Sequence, residues 1–268
     1  MEDKELYLFD LDGTLILGNR VIDGAIEAIN KIREQGKKLV IFTNNSSRTR
    51  MQYVEKLAKL GIAVTEEEIV TAGYITGKYL LKKNKRAIYV LGTEKFKEML
   101  KEMGLIVVEN SKKIDGKYNI DAVVLGLDSE LNYEKIKTVC KLLQDPEMTY
   151  IGANPDMVYP VEDGIFYPDC GSIAKMISYS TRRVPKFLGK PYHEIFDYCL
   201  EKNSVSKDKV IIVGDRLYTD IACGQENGCD TVLVLTGEAK REDLINSEYQ
   251  PTAVIDSLSL IHIWRCRR

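Results

Sequence analysis

The chain has 268 residues, and 38 lysines and arginines stand against 40 aspartates and glutamates, so its formal net charge is -2. At roughly 150 residues per domain it holds one large domain or two modest ones, and its 44% hydrophobic and 29% charged residues exclude a disordered or fibrous chain. The balanced charge provides no field for holding nucleic acid or an anionic membrane, so neither is expected as a partner.

Membrane and secretion signals are missing from the sequence pattern. No apolar run reaches the ~18 residues of a membrane span, and the first residues lack a basic region followed by an apolar one. The six cysteines form no CxxC pair, which favours reduced, partly buried thiols. His193 and His262 have no partner at ligand spacing, so catalysis is expected to rest on carboxylates. A soluble, cytoplasmic protein is therefore predicted.

The first part of the chain alternates short apolar runs with segments of helical period, as a doubly wound α/β domain does. Strands are predicted over residues 6–9 and 38–42. Between them a helix is predicted over 23–36, with Asp23 as its cap. A second helix is predicted over about 47–60, and Thr65 then opens a capping box that predicts a third helical stretch.

A second alternation of strands and helices indicates an inserted domain with its own sheet. The predicted strands are 87–91, 105–108, 122–127 and 148–152, and the predicted helices are 94–103 and 133–143. Polar breaks around 82–85 and 181–185 bound this stretch. We therefore predict a cap domain over 79–183, inserted into a core formed by 1–78 and 184–257.

The last part of the chain returns to the core pattern, with strands predicted at 210–213, 231–235 and 252–255. The predicted fold class is α/β: a doubly wound parallel-sheet, Rossmann-like core with an inserted α/β cap domain. Residues 258–268 hold the single Trp and a basic cluster, and we interpret them as an atypical tail, frayed or derived from expression, without a role in the fold.

Acidic and hydroxyl residues follow three of the predicted core strands, at the edge where open parallel sheets bind ligands. Residues 10–14 (DLDGT) follow the first strand and 43–46 (TNNS) the second, while Asp215 and Asp220 follow the strand at 210–213. Once these strands lie side by side, the residues meet at one edge. Carboxylates buried together are unfavourable unless a cation joins them, and hard oxygen ligands suit Mg²⁺. The pattern predicts a magnesium site.

With these motifs in place, the sequence resembles the haloacid dehalogenase superfamily over residues 7 to about 257. The similarity is strongest to its phosphatases with a large cap after the second motif, the group of nitrophenyl phosphatases and acid sugar phosphatases. Besides DLDGT and TNNS, the matching residues are Gly18, Ile22, Gly24, Ala25, Arg48, Gly189, Lys190, Pro191, Val213, Gly214, Asp215, Arg216, Thr219, Asp220, Ile221, Leu235, Thr236 and Gly237. Too few residues separate Thr14 from Thr43 to hold a domain, whereas the stretch from Thr43 to Lys190 is long enough.

The resemblance implies roles for the residues of the first two motifs. Asp10 is implied to be the nucleophile that forms an aspartyl-phosphate. Asp12 lies on the same side of the strand, two residues on, and is implied to be the general acid and base. Thr43 offers a hydroxyl to the phosphoryl group, Asn44 an amide or a backbone N–H, and Asn45 completes the predicted substrate-binding loop.

The same resemblance implies the metal ligands and a catalytic cation. Mg²⁺ is expected to be bound by Asp10, by the backbone carbonyl of Asp12 and by Asp215. Asp220 is expected either to contact these ligands without binding the ion directly or to anchor Lys190. Lys190 is implied to contact both the phosphate and Asp10.

Substrate choice is assigned to the cap, because a cap can exclude water and contact the leaving group. Asn154 and Asp156, with Tyr159, are the candidate substrate-binding residues there. The alternative is a proline-containing turn in which Tyr159 merely packs. One departure from the family lies nearby: residues 169–172 are DCGS, where relatives often have Gly-x-Gly-Ser.

The predicted function is Mg²⁺-dependent hydrolysis of small phosphate monoesters, such as sugar phosphates, nucleotides or p-nitrophenyl phosphate, with a small phosphorylated metabolite as the partner. A dehalogenase would have no use for Asp12 and Asp215 as acid and ligand. The alternatives are a phosphotransferase, which must keep water from the phospho-enzyme, and an idle phosphate-binding regulator, which would be expected to lose Asp10 or Lys190. The oligomeric state, a homodimer included, stays open.

Overall fold

The structure is a computed structural model that describes residues 3–114, 116–160 and 165–260. The chain divides into two compact units: a core unit of Met1–Thr43, Met51–Val70 and Lys190–Arg268, and an inserted unit of Asn44–Arg50 and Thr71–Gly189. The predicted cap boundaries, 79 and 183, lie inside the inserted unit. The predicted core also contained residues 44–50, 71–78 and 184–189, which belong to the inserted unit.

The helices and strands follow the predicted alternation. In chain order they are β1 Leu6–Phe9, β2 Ile16–Leu17, β3 Arg20–Val21, α1 Ala25–Glu34, β4 Lys38–Thr43, α2 Arg50–Lys59, β5 Ile69–Thr71, α3 Ala72–Lys82, β6 Ala87–Leu91, α4 Glu94–Glu102, β7 Ile106–Val107, β8 Lys113–Ile114, β9 Lys117–Tyr118, β10 Ala122–Leu125, α5 Tyr133–Leu142, β11 Thr149–Gly152, β12 Val158–Pro160, β13 Phe166–Pro168, α6 Cys170–Thr181, β14 Lys186–Phe187, α7 His193–Asn203, β15 Val210–Gly214, α8 Ala222–Asn227, β16 Asp230–Val234 and β17 Ala253–Ile255. Among the described residues no helix is both long and apolar enough to cross a membrane.

The sheet of the core unit brings three chain segments to one edge. Its strand order is β17-β16-β15-β1-β4-β5, and β1 pairs in parallel with both β15 and β4. In this register Phe9 lies opposite Val213 on one side and Ile41 on the other. All residues of β1 and β15 are buried, as strands covered on both faces must be. The predicted doubly wound core is confirmed.

The start of α1 differs from the prediction. The helix begins at Ala25, and its N-cap is Gly24 in the left-handed region (φ 85°), without a side-chain cap, so the expected cap by Asp23 is wrong. A Cβ on Gly24 would lie 2.2 Å from the backbone nitrogen of Ser259. Glycine is therefore required by both the backbone conformation and the close approach of the chain at Ser259.

The capping box at Thr65 is present, but it does not open a long helix. It caps only a 3₁₀ turn, Glu66–Glu68, and the chain then extends into β5. Ile69 and Val70 are β-branched and fully buried, so burial in the sheet outweighs the local helix signal. The helix α3 starts afterwards, where the Thr71 hydroxyl accepts the Tyr74 N–H.

The inserted unit has its own parallel sheet, in the order β14-β11-β10-β6-β7. From β6 the chain adds β7 towards one edge of the sheet, and from β10 it later adds β11 towards the opposite edge. The strand order therefore reverses between β6 and β10, which is where open sheets of this type form a crevice at the carboxyl ends of their strands. Two short antiparallel pairs, β8–β9 and β12–β13, complete the unit and were not predicted.

The predicted tail, 258–268, lies outside the described residues from 261 onwards. Its beginning is part of the core, because Leu258–Leu260 form a 3₁₀ turn and the Leu258 side chain is completely buried. For residues 258–260 the expectation of a tail without a role in the fold is therefore wrong.

Candidate active site

The end of β1 carries a buried ion pair. Asp10 is 8% exposed and donates its backbone N–H to Val213 across the sheet at 2.8 Å. The ammonium of Lys190 donates to Asp10 Oδ1 at 2.5 Å and to Asp220 Oδ1 at 2.7 Å. Its Nζ also lies 4.5 Å from the centroid of the Phe42 ring. Lys190 is thus held between two carboxylates and an aromatic face.

Three carboxylates of the core unit lie close enough to share one ion. Asp10, Asp215 and Asp220 each offer an oxygen, and these oxygens lie within 4.8 Å of one another. All three residues are buried. The three carboxyl groups outnumber the single ammonium of Lys190, so a further cation would favour their ionised form. Hard oxygen ligands in this number suit a divalent cation such as Mg²⁺.

The pKa values in the cluster follow from its burial and charge. Burial raises the pKa of Asp215 well above its usual range, and the neighbouring Asp10 and Asp220 raise it further. Burial likewise raises the pKa of Asp220 to about 6, although Lys190 opposes the shift. Burial lowers the pKa of Lys190, but Asp10 and Asp220 outweigh it, so the pKa lies above the usual value and the ammonium stays charged.

These shifts predict how the stability of the metal-free protein depends on pH. A carboxyl group whose folded pKa exceeds its unfolded value of about 3.9 stabilises the fold at low pH, and this contribution is lost as pH rises through the folded pKa. With the pKa of Asp220 near 6 and that of Asp215 raised too, we expect the unfolding temperature in chelator to fall between pH 5 and pH 8, on the order of 5 °C.

Differential scanning calorimetry of the wild type and of Asp215→Asn checks this expectation. The variant lacks one titrating carboxylate, so its unfolding temperature should fall less over the same interval. Mg²⁺ should raise the wild-type unfolding temperature more at pH 8 than at pH 5, since it binds the ionised carboxylates. Equal pH slopes for the two proteins would contradict the assignment.

Two glycines shape the position of Asp215. A Cβ on Gly13 would lie 2.3 Å from Asp215 Oδ2, and one on Gly237 would lie 1.9 Å from the same oxygen. The Glu238 N–H donates to that oxygen at 2.7 Å, and the Thr236 hydroxyl donates to the carbonyl of Gly13 at 2.7 Å. The turn after β16 thus holds Asp215 in place. Sequence reasoning matched Thr236 and Gly237 to the family but gave them no role.

Asp220 is placed by an irregular turn. Leu217–Ile221 form one π-helical turn, and Asp220 Oδ2 accepts the backbone N–H of Arg216 at 3.1 Å. A Cβ on Gly214 would lie 2.3 Å from the Asp220 Cβ, so glycine is needed there for the close approach. The Asp220 carboxylate, which contacts Lys190, is therefore held by the backbone of the turn to which it belongs.

Asp12 and Thr43 occupy the predicted edge without joining the carboxylate group. Asp12 is half-buried, and among the described residues the carboxylates near enough to share an ion do not include it. Its expected contact with the metal was through its backbone carbonyl, and this stays a prediction. Thr43 is the last residue of β4 and is buried. The hydroxyl of Thr14, also buried, donates to Asp215 Oδ1 at 3.4 Å.

The candidate substrate residues of the inserted unit form a buried network. Asn44 Nδ2 donates to Asp156 Oδ1 at 2.9 Å, and Asn154 Nδ2 donates to the carbonyl of Asn44 at 2.8 Å. Asn154 Oδ1 accepts the Asp156 N–H at 3.0 Å, so both polar ends of a fully buried Asn154 are used within the unit. The structure brings the three residues together, and their contact with a substrate stays a prediction.

Asn45 and Tyr159 also make contacts within the inserted unit. Asn45 Oδ1 accepts the backbone N–H groups of Ser47 and Arg48 at 2.9 and 3.1 Å, which closes a turn. Tyr159 is half-buried and packs edge-on against Tyr167, with ring centroids 5.9 Å apart. Both observations fit a structural role for these side chains.

The DCGS sequence starts a helix. Asp169 is the N-cap of α6, and its carboxylate accepts the Cys170 N–H at 2.6 Å. A Cβ on Gly171 would lie 2.1 Å from the carbonyl oxygen of Pro155, so only glycine fits there. Asp169 thus supplies the N-terminal cap of α6.

Comparison with known proteins identifies the family. A model of haloacid dehalogenase-like hydrolases matches residues 7–106, and a HAD-hydrolase-like model matches residues 187–261. The chain is 35% identical over 260 residues to the 5'-nucleotidase YutF of Bacillus subtilis, covering 97% of this chain and 98% of that protein. It is also 35% identical over 261 residues to the acid sugar phosphatase of Staphylococcus haemolyticus, covering 97% and 96% of the two chains.

Solved structures agree with these relatives. The fold is similar to 4-nitrophenylphosphatase from Thermotoga maritima, with a TM-score of 0.91, 37% identity and 98% of each chain covered. A glycerol phosphate phosphatase from Mycobacterium tuberculosis, in complex with magnesium, has a TM-score of 0.85 and 27% identity over 96% of this chain and 76% of that one. This chain belongs to the haloacid dehalogenase-like hydrolases and, within them, to the phosphatases. The resemblance stated from the motifs is confirmed.

Proposed function

We propose that this protein hydrolyses small phosphate monoesters with Mg²⁺ and through an aspartyl-phosphate formed on Asp10. The observation that carries the proposal is the buried group of Asp10, Asp215 and Asp220, whose oxygens lie within 4.8 Å of one another beside the ammonium of Lys190. A nucleophilic carboxylate, a place for a divalent cation and a fixed positive charge are the groups that phosphoryl transfer requires.

The carboxylate cluster fits the proposed metal. Asp10 and Asp215 would hold Mg²⁺ by their side chains and Asp12 by its backbone carbonyl, while Asp220 holds Lys190. When bound, Mg²⁺ would supply charge neutralisation for the phosphoryl oxygens. The magnesium complex of the Mycobacterium tuberculosis relative supports this choice of ion.

In the first proposed step, a carboxylate oxygen of Asp10 forms a bond to phosphorus and the bond from phosphorus to the ester oxygen breaks. The leaving oxygen takes the bond's electron pair and a proton from the Asp12 carboxyl group, so an alcohol departs. The Thr43 hydroxyl and the Lys190 ammonium stabilise the charge on the phosphoryl oxygens. Lys190 is already fixed for this task by Asp10 and Asp220.

In the second proposed step, water attacks the phosphorus of the aspartyl-phosphate. The Asp12 carboxylate takes a proton from this water, the acyl-phosphate bond breaks and inorganic phosphate leaves. Asp10 returns as a carboxylate and Asp12 as a carboxylic acid, which restores the starting state.

The substrate class is taken from the relatives and from the chemistry of the cluster. Relatives that match nearly the whole chain are named as a 5'-nucleotidase, an acid sugar phosphatase and a 4-nitrophenylphosphatase. We therefore propose nucleotides, sugar phosphates and p-nitrophenyl phosphate as substrates, all of them small monoesters.

Phosphate release from these esters, with and without Mg²⁺, tests the function. The wild type should release phosphate with Mg²⁺ and lose turnover when a chelator removes the ion. Activity that survives in excess chelator would contradict the metal's role. Transfer of the phosphoryl group to an added alcohol in preference to water would favour the phosphotransferase, and phosphate binding without turnover would favour the idle regulator.

A further inference from the structure

The segment that follows β4 is seated in the sheet of the inserted unit. Ser46 is 1% exposed, and its hydroxyl accepts the Leu127 N–H at 3.1 Å, just beyond the end of β10. A Cβ on Gly126 would lie 3.0 Å from that hydroxyl, so the glycine leaves room for it. The segment thus occupies the carboxyl end of β10, beside the point where the strand order reverses.

The same segment is held a second time at Asn44. Its side-chain amide donates to Asp156 Oδ1, and its backbone carbonyl accepts from Asn154 Nδ2. Asn154 in turn accepts the Asp156 N–H, so the two residues form one rigid support. Asn44, Asn154 and Asp156 are at most 7% exposed. Buried polar groups that are satisfied in this way specify one conformation of the chain.

We infer that Asn154 and Asp156 are positioning residues for the Asn44–Ser46 segment and do not contact the substrate. Asn44 comes one peptide bond after Thr43, so its backbone N–H is directed by the conformation that this network fixes. The network therefore leaves the Asn44 side chain in a supporting role, because its amide donates to Asp156 within the inserted unit. This inference rests on the proposed phosphatase function.

A leaving-group contact and a positioning role predict different kinetics for Asp156→Ala. Loss of positioning should lower kcat by roughly 10- to 100-fold, because small displacements of binding groups carry costs of this size. The factor should be the same for p-nitrophenyl phosphate, glucose 6-phosphate and AMP, since they share only the phosphoryl group. A side chain that reads the leaving group would instead give factors that differ among the three substrates.

The conservative variant Asp156→Asn and a matched control complete the design. Asn retains an oxygen that accepts from Asn44, so kcat should stay close to the wild-type value. The control is Asp121→Ala. The Asp121 carboxylate accepts hydrogen bonds from the backbone N–H groups of Arg86 and Ala87, at the amino ends of the strands, and the variant loses both bonds. That variant should unfold at a lower temperature with kcat unchanged.

Hydrogen exchange of the backbone amides of residues 44–48 gives a readout that does not depend on turnover. Exchange should become faster in Asp156→Ala and stay slow in Asp156→Asn and Asp121→Ala. Unchanged exchange in Asp156→Ala overturns the inference, as do substrate-dependent factors or an equal loss of kcat in Asp121→Ala. A wild type that releases no phosphate refutes the proposed function instead, and the exchange measurement still decides whether Asp156 positions the segment.

Discussion

Asp10→Asn should abolish turnover while leaving the fold intact. The amide is neutral and a poor nucleophile, so no phospho-enzyme can form, and we expect kcat to fall by at least roughly 10⁴-fold, as removal of nucleophiles does in other enzymes. The fold should survive because the amide oxygen can still accept from Lys190 and because one buried negative charge is removed beside Asp215 and Asp220. Single-turnover kinetics on p-nitrophenyl phosphate, with circular dichroism of the same sample, measure both effects.

Asp12→Asn is the matched comparison for this experiment. It keeps the nucleophile and removes the proposed general acid and base, so both steps should slow by at least ~100-fold without becoming impossible. Labelled phosphate from the substrate should remain attached to Asp12→Asn after a rapid quench and should never be found on Asp10→Asn. Label on Asp10→Asn would assign the nucleophile to another residue.

The long apolar strands were predictable because their sequence signal coincides with their burial. The runs that became β1, β6 and β15 are continuous apolar stretches, and a strand covered on both faces requires this pattern. The strand β5 was missed because three residues are too few to show a period and a genuine capping box precedes them. The two-residue strand β14 is shorter still, and the sheet around it determines its structure.

In the candidate active site, too, some features were predictable from the sequence and others were not. Asp10, Asp215 and Asp220 could be brought together from the sequence because parallel strands place their carboxyl ends at one edge. The segment Asn44–Ser46 could not be assigned, because its place depends on hydrogen bonds to residues more than 80 positions away, such as Leu127 and Asn154. Short-range sequence patterns do not indicate hydrogen-bond partners that lie so far away in the chain.

The close contacts of the glycines could not be predicted from the sequence either. They restrict the geometry of the cluster formed by Asp10, Asp215 and Asp220. A glycine in a motif indicates a turn, but it does not reveal which atom passes close by. Only the structure shows that Gly13 and Gly237 lie on the Asp215 carboxylate, with Gly13 in the left-handed region at φ 96°. Steric room at these two positions therefore determines where the carboxylate can point.

Gly237→Ala should weaken Mg²⁺ binding by roughly 10- to 100-fold, the usual cost of disturbing the groups that orient a metal ligand. The new methyl carbon would lie 1.9 Å from Asp215 Oδ2, far inside contact distance, so either the carboxylate or the turn must move. Movement of the turn would break the bond from the Glu238 N–H, and movement of the carboxylate would take it away from Asp10 and Asp220. Isothermal titration calorimetry with Mg²⁺ alone, without substrate, measures the affinity directly.

Gly36→Ala serves as the control, because Gly36 has no atom within 4 Å of an added Cβ but adopts a positive φ of 68°. This variant carries backbone strain of about 1 kcal/mol without a clash, so it should lower the unfolding temperature and bind Mg²⁺ as the wild type does. Wild-type Mg²⁺ affinity in Gly237→Ala would contradict the expectation that the turn at Gly237 orients Asp215 for the ion. Comparing the Mg²⁺ affinities of Gly237→Ala and Gly36→Ala therefore separates the effect of the Asp215 orientation from a general loss of stability.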